Sequence, residues 1–490
     1  MASLTNFLKK YEIGLQILLL LLAGIFFSLD IRRPLIDYDE ATYAKVTVDT
    51  LHTGNFLNLQ MNGSSWFEKP PLYFWLTIGS VKVFGETELA FRFIGILAAI
   101  LCCILVYQIV RELTGDILAA AIGFLVLTFS NSFFLFAREA RLDALVTAAI
   151  LASLFFYIKS WKNEKYLLWV LPTIAVGFLF KSVIVFFAIF AILLYSLSYK
   201  KWSYIKSKYF WWGSLLALVV FAPWHVVETI RFGKTFWDSY LGVQIFQRAA
   251  ATVTGTNNFY DYLILIVPWY LPWNIVFFAE ILTLFAIRKH AKAFARKEIF
   301  RGIIVPFVFS FFIVVTFTSA RTHLGPYILP AFPFFAMSIA MSWYYLSTLL
   351  PKYRNLFAGL MVLPIIAGAA FCVYLMPAKV PPYTYDERAI GQIYKDQKTK
   401  APLYTLDWLA TETINYYGDT HAQPLNPVVV SGQTFKGPFY ISVTPMGASY
   451  FFSAVDSPKY PGMKLLYIGT TFAFIYAAQD VQMPVFGYQK

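Results

Sequence analysis

The sequence predicts an α-helical polytopic membrane protein with about 11 to 13 transmembrane helices, followed by a small soluble α/β domain. Three observations predict this fold class. Hydrophobic residues make up 59% of the 490-residue chain and charged residues only 14%, which is more apolar surface than a soluble domain can bury. Apolar runs of about 20 residues recur along most of the chain. After Pro377 the pattern becomes that of a soluble protein.

Each apolar run long enough to cross a bilayer predicts one transmembrane helix. The predicted spans are 13–31, 93–110, 116–136, 142–158, 166–180, 182–198, 209–227, 262–287, 302–320, 326–347 and 355–376. Between the first two spans lies a long polar loop, 33–92, in which residues 40–51 predict a short helix at the membrane surface. Lys181 stands between two runs that are otherwise continuous.

The distribution of lysine and arginine predicts the orientation of these spans. Basic residues are concentrated in the loops 200–208, 288–301 and 352–354, and loops of this kind stay on the cytoplasmic side. The segments that then lie on the outer side are 33–92, 138–143, 229–260 and the C-terminal segment. The net charge of +13 is explained by topology and lipid headgroups, so no nucleic-acid partner is predicted.

We expect two domains, a membrane domain over residues 1–376 and a soluble outer domain over residues 377–490. In the second, a polar helix from Tyr385 to Lys398, opened by Asp386, precedes short β-like runs separated by glycine and proline. These runs are 403–406, 439–443, 464–468 and 471–476. The three cysteines lie inside apolar runs without metal-ligand spacing, so no disulfide framework is predicted.

Four polar clusters, far apart in the sequence, map to the outer face. The first holds Asp37, Asp39 and Glu40 directly after the first span. Capping of the following helix explains any one of these acids, but three packed carboxylates repel one another. A functional alternative is that Asp39 serves as a general base or as the charge partner of a cation.

The second cluster is Glu68-Lys69-Pro70-Pro71, in which two prolines fix the backbone. A lysine held rigidly at the membrane surface suits a substrate phosphate and a lipid headgroup equally well. The third and fourth clusters are charges between apolar runs, which are costly unless they are paired or functional. They comprise Arg138, Glu139, Arg141, Asp143, Arg321, His323 and Tyr327. Together the clusters supply the groups needed to handle an anionic, lipid-linked substrate.

Several motifs along the chain resemble those of GT-C-type glycosyltransferases. Asp39-Glu40-Ala41-Thr42-Tyr43-Ala44 and Phe67-Glu68-Lys69-Pro70-Pro71-Leu72 are similar to the first outer loop of the branch that contains lipid A aminoarabinose transferase and is related to protein O-mannosyltransferases. Pro268-Trp269-Tyr270 and Pro326-Tyr327-Ile328-Leu329-Pro330 follow in the same order. The resemblance covers roughly residues 10–350, and no motif of the C-terminal domain aligns with it.

The resemblance implies a GT-C-type fold and an enzyme of the bacterial inner membrane. It implies transfer of a sugar from a polyprenyl-phosphate carrier to an acceptor on the periplasmic face, by an inverting displacement. Asp39 would be the catalytic carboxylate of the loop 33–92, and Lys69, Arg321 and His323 would contact the donor phosphate. The residues that the resemblance assigns to the cavity and the substrate are Glu40, Tyr43, Trp66, Glu68, Arg138, Arg141, Asp143 and Tyr327.

The resemblance leaves a metal cofactor open. In the aminoarabinose branch, a histidine in the outer loop before Pro-Trp-Tyr joins the glutamate that matches Glu68 in holding a metal. The corresponding loop here, residues 248–260, contains no histidine. No cofactor is therefore assigned, and Glu68 is the residue that would hold a divalent metal.

Three acceptors stay open: lipid A or its core, a protein hydroxyl, and another envelope glycan. The resemblance favours the first, and a protein O-glycosyltransferase is the alternative. A polyprenyl-lipid transporter would place ionisable residues at mid-membrane and show paired repeats, whereas these charges keep to the outer ends of the spans. The expected partners are a polyprenyl-phosphate-linked sugar, an envelope acceptor and membrane lipids.

Overall fold

The computed structural model describes most of the chain. The described residues are 10–36, 38–251, 258–268, 270–287, 293–375, 381, 383–398, 400–406, 411–426, 433–443 and 463–482. Asp37 of the first acidic cluster and Trp269 of the Pro-Trp-Tyr motif lie outside them.

The described part of residues 1–376 is built mainly from helices. These are α1 (Glu12–Phe27), α2 (Asp39–Thr53), α3 (Leu72–Phe84), α4 (Glu88–Thr114), α5 (Ile117–Thr128), α6 (Asn131–Ala137), α7 (Asp143–Ser160), α8 (Leu167–Lys181), α9 (Phe187–Tyr199), α10 (Lys208–Trp237), α11 (Arg248–Ala250), α12 (Asp261–Ile266), α13 (Trp273–Ile287), α14 (Ala293–Thr318), α15 (Phe332–Leu349) and α16 (Arg354–Leu375). Short 3₁₀ turns connect several of them, at Glu164–Tyr166, Ser182–Phe186, Ser203–Lys206, Gly325–Ala331 and Pro351–Tyr353. A π-helix, Asp238–Gln247, continues α10.

Seven helical stretches of the described residues are long and apolar enough to cross a membrane. They are Glu88–Thr114, Asp143–Ser160, Glu164–Tyr199, Lys208–Ala250, Lys297–Thr318, Gly325–Leu349 and Pro351–Leu375. The pair α5 and α6, bent by 64°, makes an eighth if it is one span, and α1, α3 and α13 are shorter apolar helices. The prediction of a multi-span helical membrane protein is therefore confirmed.

The two runs on either side of Lys181 form two helices, α8 and α9, with a break between them. The chain reverses at this break, because Lys181 pairs with Asp143 at the start of α7 whereas Ser196 of α9 bonds to Tyr157 near the end of α7. Ser182 has a φ of 56°, and a 3₁₀ turn follows before α9 begins. This break places Lys181 at the C-terminal end of α8, where the helix dipole favours a cation.

The loop 33–92 carries the predicted surface helices. The predicted helix 40–51 is α2, which begins at Asp39 and ends at Gly54, a glycine with a φ of 69°. Asp39 lies in the first turn of α2 and does not cap it, because the N-cap residue is Tyr38. A two-stranded hairpin, β1 (Gln60–Met61) and β2 (Ser64–Ser65), leads to α3, which begins directly after Pro71.

The C-terminal part is a small mixed α/β unit. Its elements are α17 (Tyr383–Asp396), β3 (Leu403–Thr405), α18 (Thr411–Gly418), β4 (Gln423–Pro424), β5 (Thr434–Phe435), β6 (Phe439–Val443), β7 (Met463–Ile468), β8 (Ala473–Ala477) and β9 (Val481–Gln482). Five strands form one sheet in the order β4-β3-β6-β8-β7, and β5 pairs with β9. The sheet is mixed, since β3 runs parallel to β4 and β6 while β8 runs antiparallel to β6 and β7.

The four predicted β-runs and the predicted polar helix of this unit are confirmed within a few residues. Asp386 has a different role from the one expected. It does not open α17, which begins at Tyr383. Its carboxylate accepts hydrogen bonds from the backbone N–H groups of Thr471 and Phe472 at 2.6 and 3.0 Å, and so it ties α17 to the start of β8.

Candidate active site

Glu40 fixes the position of α2 and of the loop 33–92 around it. Both carboxylate oxygens accept hydrogen bonds from Arg92 of α4 at 2.8 Å. They also accept from the backbone N–H groups of Ile36 at 2.9 Å and Ala140 at 2.7 Å. Burial by itself would raise the pKa of Glu40, but the positive charge of Arg92 outweighs burial and lowers this pKa to about 2. The buried pair therefore joins three segments that are distant in sequence.

Asp39, the neighbour of Glu40, faces a cavity. Its carboxylate is ion-paired with Arg141, from the turn between α6 and α7. Burial by itself would raise the pKa of Asp39, but Arg141 and the other cations around the cavity hold it below its usual value. The side chain is 23% exposed. Asp39 is thus an ionised carboxylate that a substrate can reach.

Lys69 also lines this cavity, and it stands directly before the two prolines in the sequence. Its Nζ donates hydrogen bonds to Oε1 of Gln244, in the π-helix, at 2.8 Å and to the carbonyl of Glu68 at 3.2 Å. Burial, assisted by Arg248 and Lys181, lowers the pKa of Lys69 to about 8. The ammonium is therefore charged at neutral pH, and among the described residues its hydrogen-bond partners are neutral groups.

Lys181 is a site residue that the sequence reasoning missed. It forms an ion pair with Asp143 at the start of α7, and its Nζ is 5.2 Å from the centre of the Tyr327 ring. Asp143 is also 3.5 Å from Arg141. A signal was present in the sequence, because a lysine in the middle of a long apolar stretch is costly unless it is functional.

Arg248 is the second cation that the sequence reasoning did not assign to the site. Its Nη1 donates a hydrogen bond to the hydroxyl of Tyr327 at 3.2 Å. The two residues come from α11 and from the 3₁₀ turn before α15. Both residues line the cavity.

The cavity has a volume of about 500 Å³. Of the described residues, four cations and two carboxylates line it: Lys69, Arg141, Lys181, Arg248, Asp39 and Glu68. Tyr43 and Tyr327 add aromatic surface. The excess of positive charge makes the cavity a binding site for an anion, since buried cations are most stable with an anionic partner.

One side of the cavity is apolar. Aromatic and aliphatic side chains from the 3₁₀ turn after Ser182, from α9 and from α14 line it. Three of these, Phe186, Phe190 and Phe312, are 38–50% exposed on the surface of the membrane domain. A long hydrocarbon chain can therefore lie along these exposed phenylalanines while its polar end stays among the cations.

Four residues predicted for the cavity do not line it. Glu40 is saturated by Arg92. Trp66 packs edge-on against Tyr43 and Phe74, at ring distances of 6.2 and 5.3 Å, and so supports Tyr43 from behind. Arg138 is buried over the ring of Phe134, 4.8 Å from its centre. Asp143 is ion-paired with Lys181 and lies 3.5 Å from Arg141, but it does not line the cavity itself.

Arg321 and His323 are also absent from the lining, although they were predicted to contact the donor phosphate. The ring of His323 is held by Oδ2 of Asp261 at Nδ1 and by the carbonyl of Ala320 at Nε2, both at 2.9 Å. Arg321 is exposed, and its backbone N–H donates to the carbonyl of Ala249. Of the predicted phosphate contacts, the structure brings only Lys69 into the cavity.

The residues around Glu68 do not match a metal site. Within the described part of the chain, no three His, Cys, Asp or Glu side chains are grouped closely enough to hold an ion. The charged neighbour of Glu68 is Lys69, 3.9 Å away.

Comparison with known sequences places the chain near two groups of transferases. The profile of the dolichyl-phosphate-mannose-protein mannosyltransferase family matches residues 68–226. An uncharacterised protein of Aquifex aeolicus is 27% identical over 65% of this chain and 61% of its own length. The undecaprenyl phosphate-α-4-amino-4-deoxy-L-arabinose arabinosyl transferase 2 of Proteus mirabilis is 24% identical over 65% of this chain and 58% of its own length. The chain thus spans about 60% of the length of these two relatives.

Solved structures agree with this placement at the level of the fold. ArnT from Cupriavidus metallidurans, bound to undecaprenyl phosphate, superposes with a TM-score of 0.70 at 17% identity and covers 95% of this chain and 98% of its own. The archaeal oligosaccharyltransferase AglB from Archaeoglobus fulgidus, in complex with an inhibitory peptide and a dolichol-phosphate, gives 0.55 at 13% identity over 96% of this chain and 75% of its own. The chain is a multi-span membrane protein with the GT-C-type fold, and in sequence it resembles the aminoarabinose transferases and the protein O-mannosyltransferases.

Proposed function

We propose that the chain is a glycosyltransferase that moves a sugar from a polyprenyl-phosphate carrier to lipid A or its saccharide core. The reaction takes place on the periplasmic face of the bacterial inner membrane, with residues 1–376 as the catalytic membrane domain and 377–490 as a periplasmic domain. The observation that carries the proposal is the cavity itself, which is lined by four cations and has an apolar side formed by residues of the turn Ser182–Phe186, α9 and α14. A phosphate linked to a long hydrocarbon chain matches both halves.

The donor phosphate would lie among Lys69, Lys181 and Arg248. Lys69 has only Gln244 and a backbone carbonyl at hydrogen-bond distance, and either can be exchanged for a phosphate oxygen. Negative charge grows on the phosphate as the bond to the sugar breaks. Fixed cations in a cavity of low dielectric stabilise that charge more strongly than water does.

Asp39 would act on the acceptor. An acceptor hydroxyl attacks the anomeric carbon from the side opposite the phosphate, a new carbon–oxygen bond forms, and the bond to the carrier phosphate breaks with inversion. The hydroxyl proton passes to the carboxylate of Asp39, and the carrier leaves as polyprenyl phosphate. Arg141 keeps Asp39 ionised and oriented while the acceptor approaches.

A transfer assay with purified protein in nanodiscs tests the proposal. Undecaprenyl-phosphate-linked sugars from three classes, an aminopentose, a hexose and a uronic acid, are supplied with lipid A, and mass spectrometry detects the added sugar. We expect transfer from at least one donor, with loss of transfer in Asp39→Asn. Binding of undecaprenyl phosphate without transfer from any donor to any acceptor would contradict the proposal and favour a lipid transporter.

A protein hydroxyl is the second candidate acceptor. The observation that favours it is the match of residues 68–226 to the dolichyl-phosphate-mannose-protein mannosyltransferase family. Mass spectrometry of lipid A and of envelope proteins from a strain that lacks this chain separates the two acceptors. A missing sugar on proteins, with lipid A unchanged, would replace the first candidate by the second.

A further inference from the structure

The C-terminal domain rests directly on the membrane domain through α18 and the turn that follows it. Oδ1 of Asp419 is 3.3 Å from Nζ of Lys45, on α2. The ring of Tyr416 packs edge-on against Phe91, on α4, with 5.4 Å between the ring centres. The domain that carries none of the family motifs therefore contacts the same helix that begins with Asp39.

Tyr417 makes the most specific of these contacts. Its hydroxyl accepts a hydrogen bond from the backbone N–H of Leu35 at 3.0 Å and donates one to Oε1 of Glu88 at 2.9 Å. Arg388 of α17 is 3.3 Å from the same Glu88 oxygen and lies 5.6 Å from the centre of the Tyr417 ring. The hydroxyl is thus fixed from both sides in a partly buried position.

Leu35 belongs to the segment 31–36, which leads from the first span to α2. Arg92 holds this segment through the carbonyls of Ile31, Arg33 and Pro34 at 2.6–2.8 Å. Glu40 holds the N–H of Ile36. The C-terminal domain also holds this segment, through the hydrogen bond from the N–H of Leu35 to Tyr417. Four residues after Leu35, α2 begins with Asp39.

We propose that Tyr417 is a positioning residue for Asp39. By holding the N–H of Leu35 within the segment 31–36, it sets where α2 begins and therefore how Asp39 meets Arg141 and the acceptor. The C-terminal domain is then part of the active site's support. This inference rests on the proposed function, since it concerns the residue to which that function gives the acceptor proton.

Tyr417→Phe in the full-length chain removes the hydroxyl and keeps the ring. We expect kcat to fall on the order of 10-fold, because small misplacements of a reacting group reduce rates strongly, while the KM for the lipid-linked donor changes less than about 2-fold. The acid limb of the pH–kcat profile should also move to higher pH, because a loosened contact with Arg141 lets the pKa of Asp39 rise towards its usual value. A loss of stability alone would lower the amount of folded protein, but it would change neither the pH profile nor the kcat calculated per folded molecule.

Tyr416→Phe is the matched control, because its hydroxyl lies on the same helix and makes only a 3.5 Å contact with the carbonyl of Glu86. We expect wild-type kcat and pH profile from it. If Tyr417→Phe folds poorly, Glu88→Gln weakens the same anchor from the other side and should shift the acid limb in the same direction. Wild-type kcat and pH profile in both Tyr417→Phe and Glu88→Gln would overturn the inference, whereas absence of transfer in the wild-type chain would overturn the proposed function instead.

Discussion

Asp39 and Glu40 are adjacent in the sequence and carry the same functional group, yet the structure gives them opposite environments. Glu40 has all its hydrogen-bonding capacity used by Arg92 and two backbone N–H groups. Asp39 has one ion pair and borders the cavity. The comparison teaches that a carboxylate can be assigned to support or to chemistry by how completely its oxygens are occupied. The following predictions test that distinction.

The largest effect is expected from Glu40→Ala. The variant leaves the guanidinium of Arg92 buried without its charge partner, which destabilises a protein by about 3–5 kcal/mol. We expect a clear fall in Tm and in the yield of folded protein in detergent. Glu68→Ala is the control, because Glu68 is a partly exposed carboxylate of the same loop, with 30% of its side chain accessible. An unchanged Tm in Glu40→Ala would remove Glu40 from its supporting role.

The same pair predicts a sensitivity to acid. Although burial would raise it, the pKa of Glu40 is lowered from 4.5 to about 2, because Arg92 favours the ionised form. A carboxyl whose pKa is lower in the folded state stabilises the fold at pH values above its unfolded pKa. This contribution should be complete above pH of about 4.5 and be lost as the pH falls towards 2. Thermal unfolding measured between these pH values checks it.

Asp39→Asn is expected to affect chemistry and leave the fold intact. Loss of a general base lowers kcat by about 10²–10⁴-fold, while Arg141 keeps Asp143 and Glu139 as partners. Single-turnover transfer and Tm in detergent measure the two effects separately. Full activity in this variant would show that Asp39 is as much a supporting residue as Glu40.

Lys181→Met tests the cavity residue at the end of α8. It removes one cation from the proposed phosphate site, and we expect the affinity for undecaprenyl phosphate to fall by about 10-fold, or ~1.4 kcal/mol. Lys165→Met is the control. It changes an exposed lysine just before the start of α8, whereas Lys181 ends that helix, and it should leave the affinity unchanged. If both variants bind undecaprenyl phosphate equally well, Lys181 does not contact the phosphate and serves only as the ion-pair partner of Asp143.

The smallest effect is a change in pH dependence from Lys69→Arg. Since the pKa of Lys69 is lowered to about 8, its positive charge is present below that pH and is lost above it. We expect the affinity for undecaprenyl phosphate to weaken as the pH rises past 8, and to weaken less in the arginine variant, which stays charged. A titration of the dissociation constant from pH 7 to about 9.5 measures this difference, and identical curves would exclude Lys69 from the phosphate contact.

The fold was largely predictable from the sequence because it follows from local patterns. The apolar runs predict the spans, and the short β-like runs at 403–406, 439–443 and 464–468 correspond to β3, β6 and β7. The break at Ser182 was not predictable in the same way. A positive φ at a serine follows from the packing around it rather than from a local preference.

The site was predictable only where a motif marks it. Asp39 and Lys69 were assigned from a resemblance, and both line the cavity. Glu40 could not be separated from Asp39, because its partner Arg92 is 52 residues away. His323 was assigned to the phosphate since its partner Asp261, 62 residues away, was unknown. Pairings of this kind depend on tertiary contacts that the spacing within one cluster does not contain.

The exposed phenylalanines between α9 and α14 have a consequence for how the reaction is measured. A substrate that arrives through this side diffuses in two dimensions, so its effective concentration is a mole fraction of the surrounding lipid and not an amount per volume. Half-saturation then depends on how many lipid molecules dilute each donor. If the proposed transfer takes place, adding empty detergent micelles should slow turnover at constant bulk concentration, and the released carrier, confined to the same layer, should act as a competitive inhibitor of the next cycle.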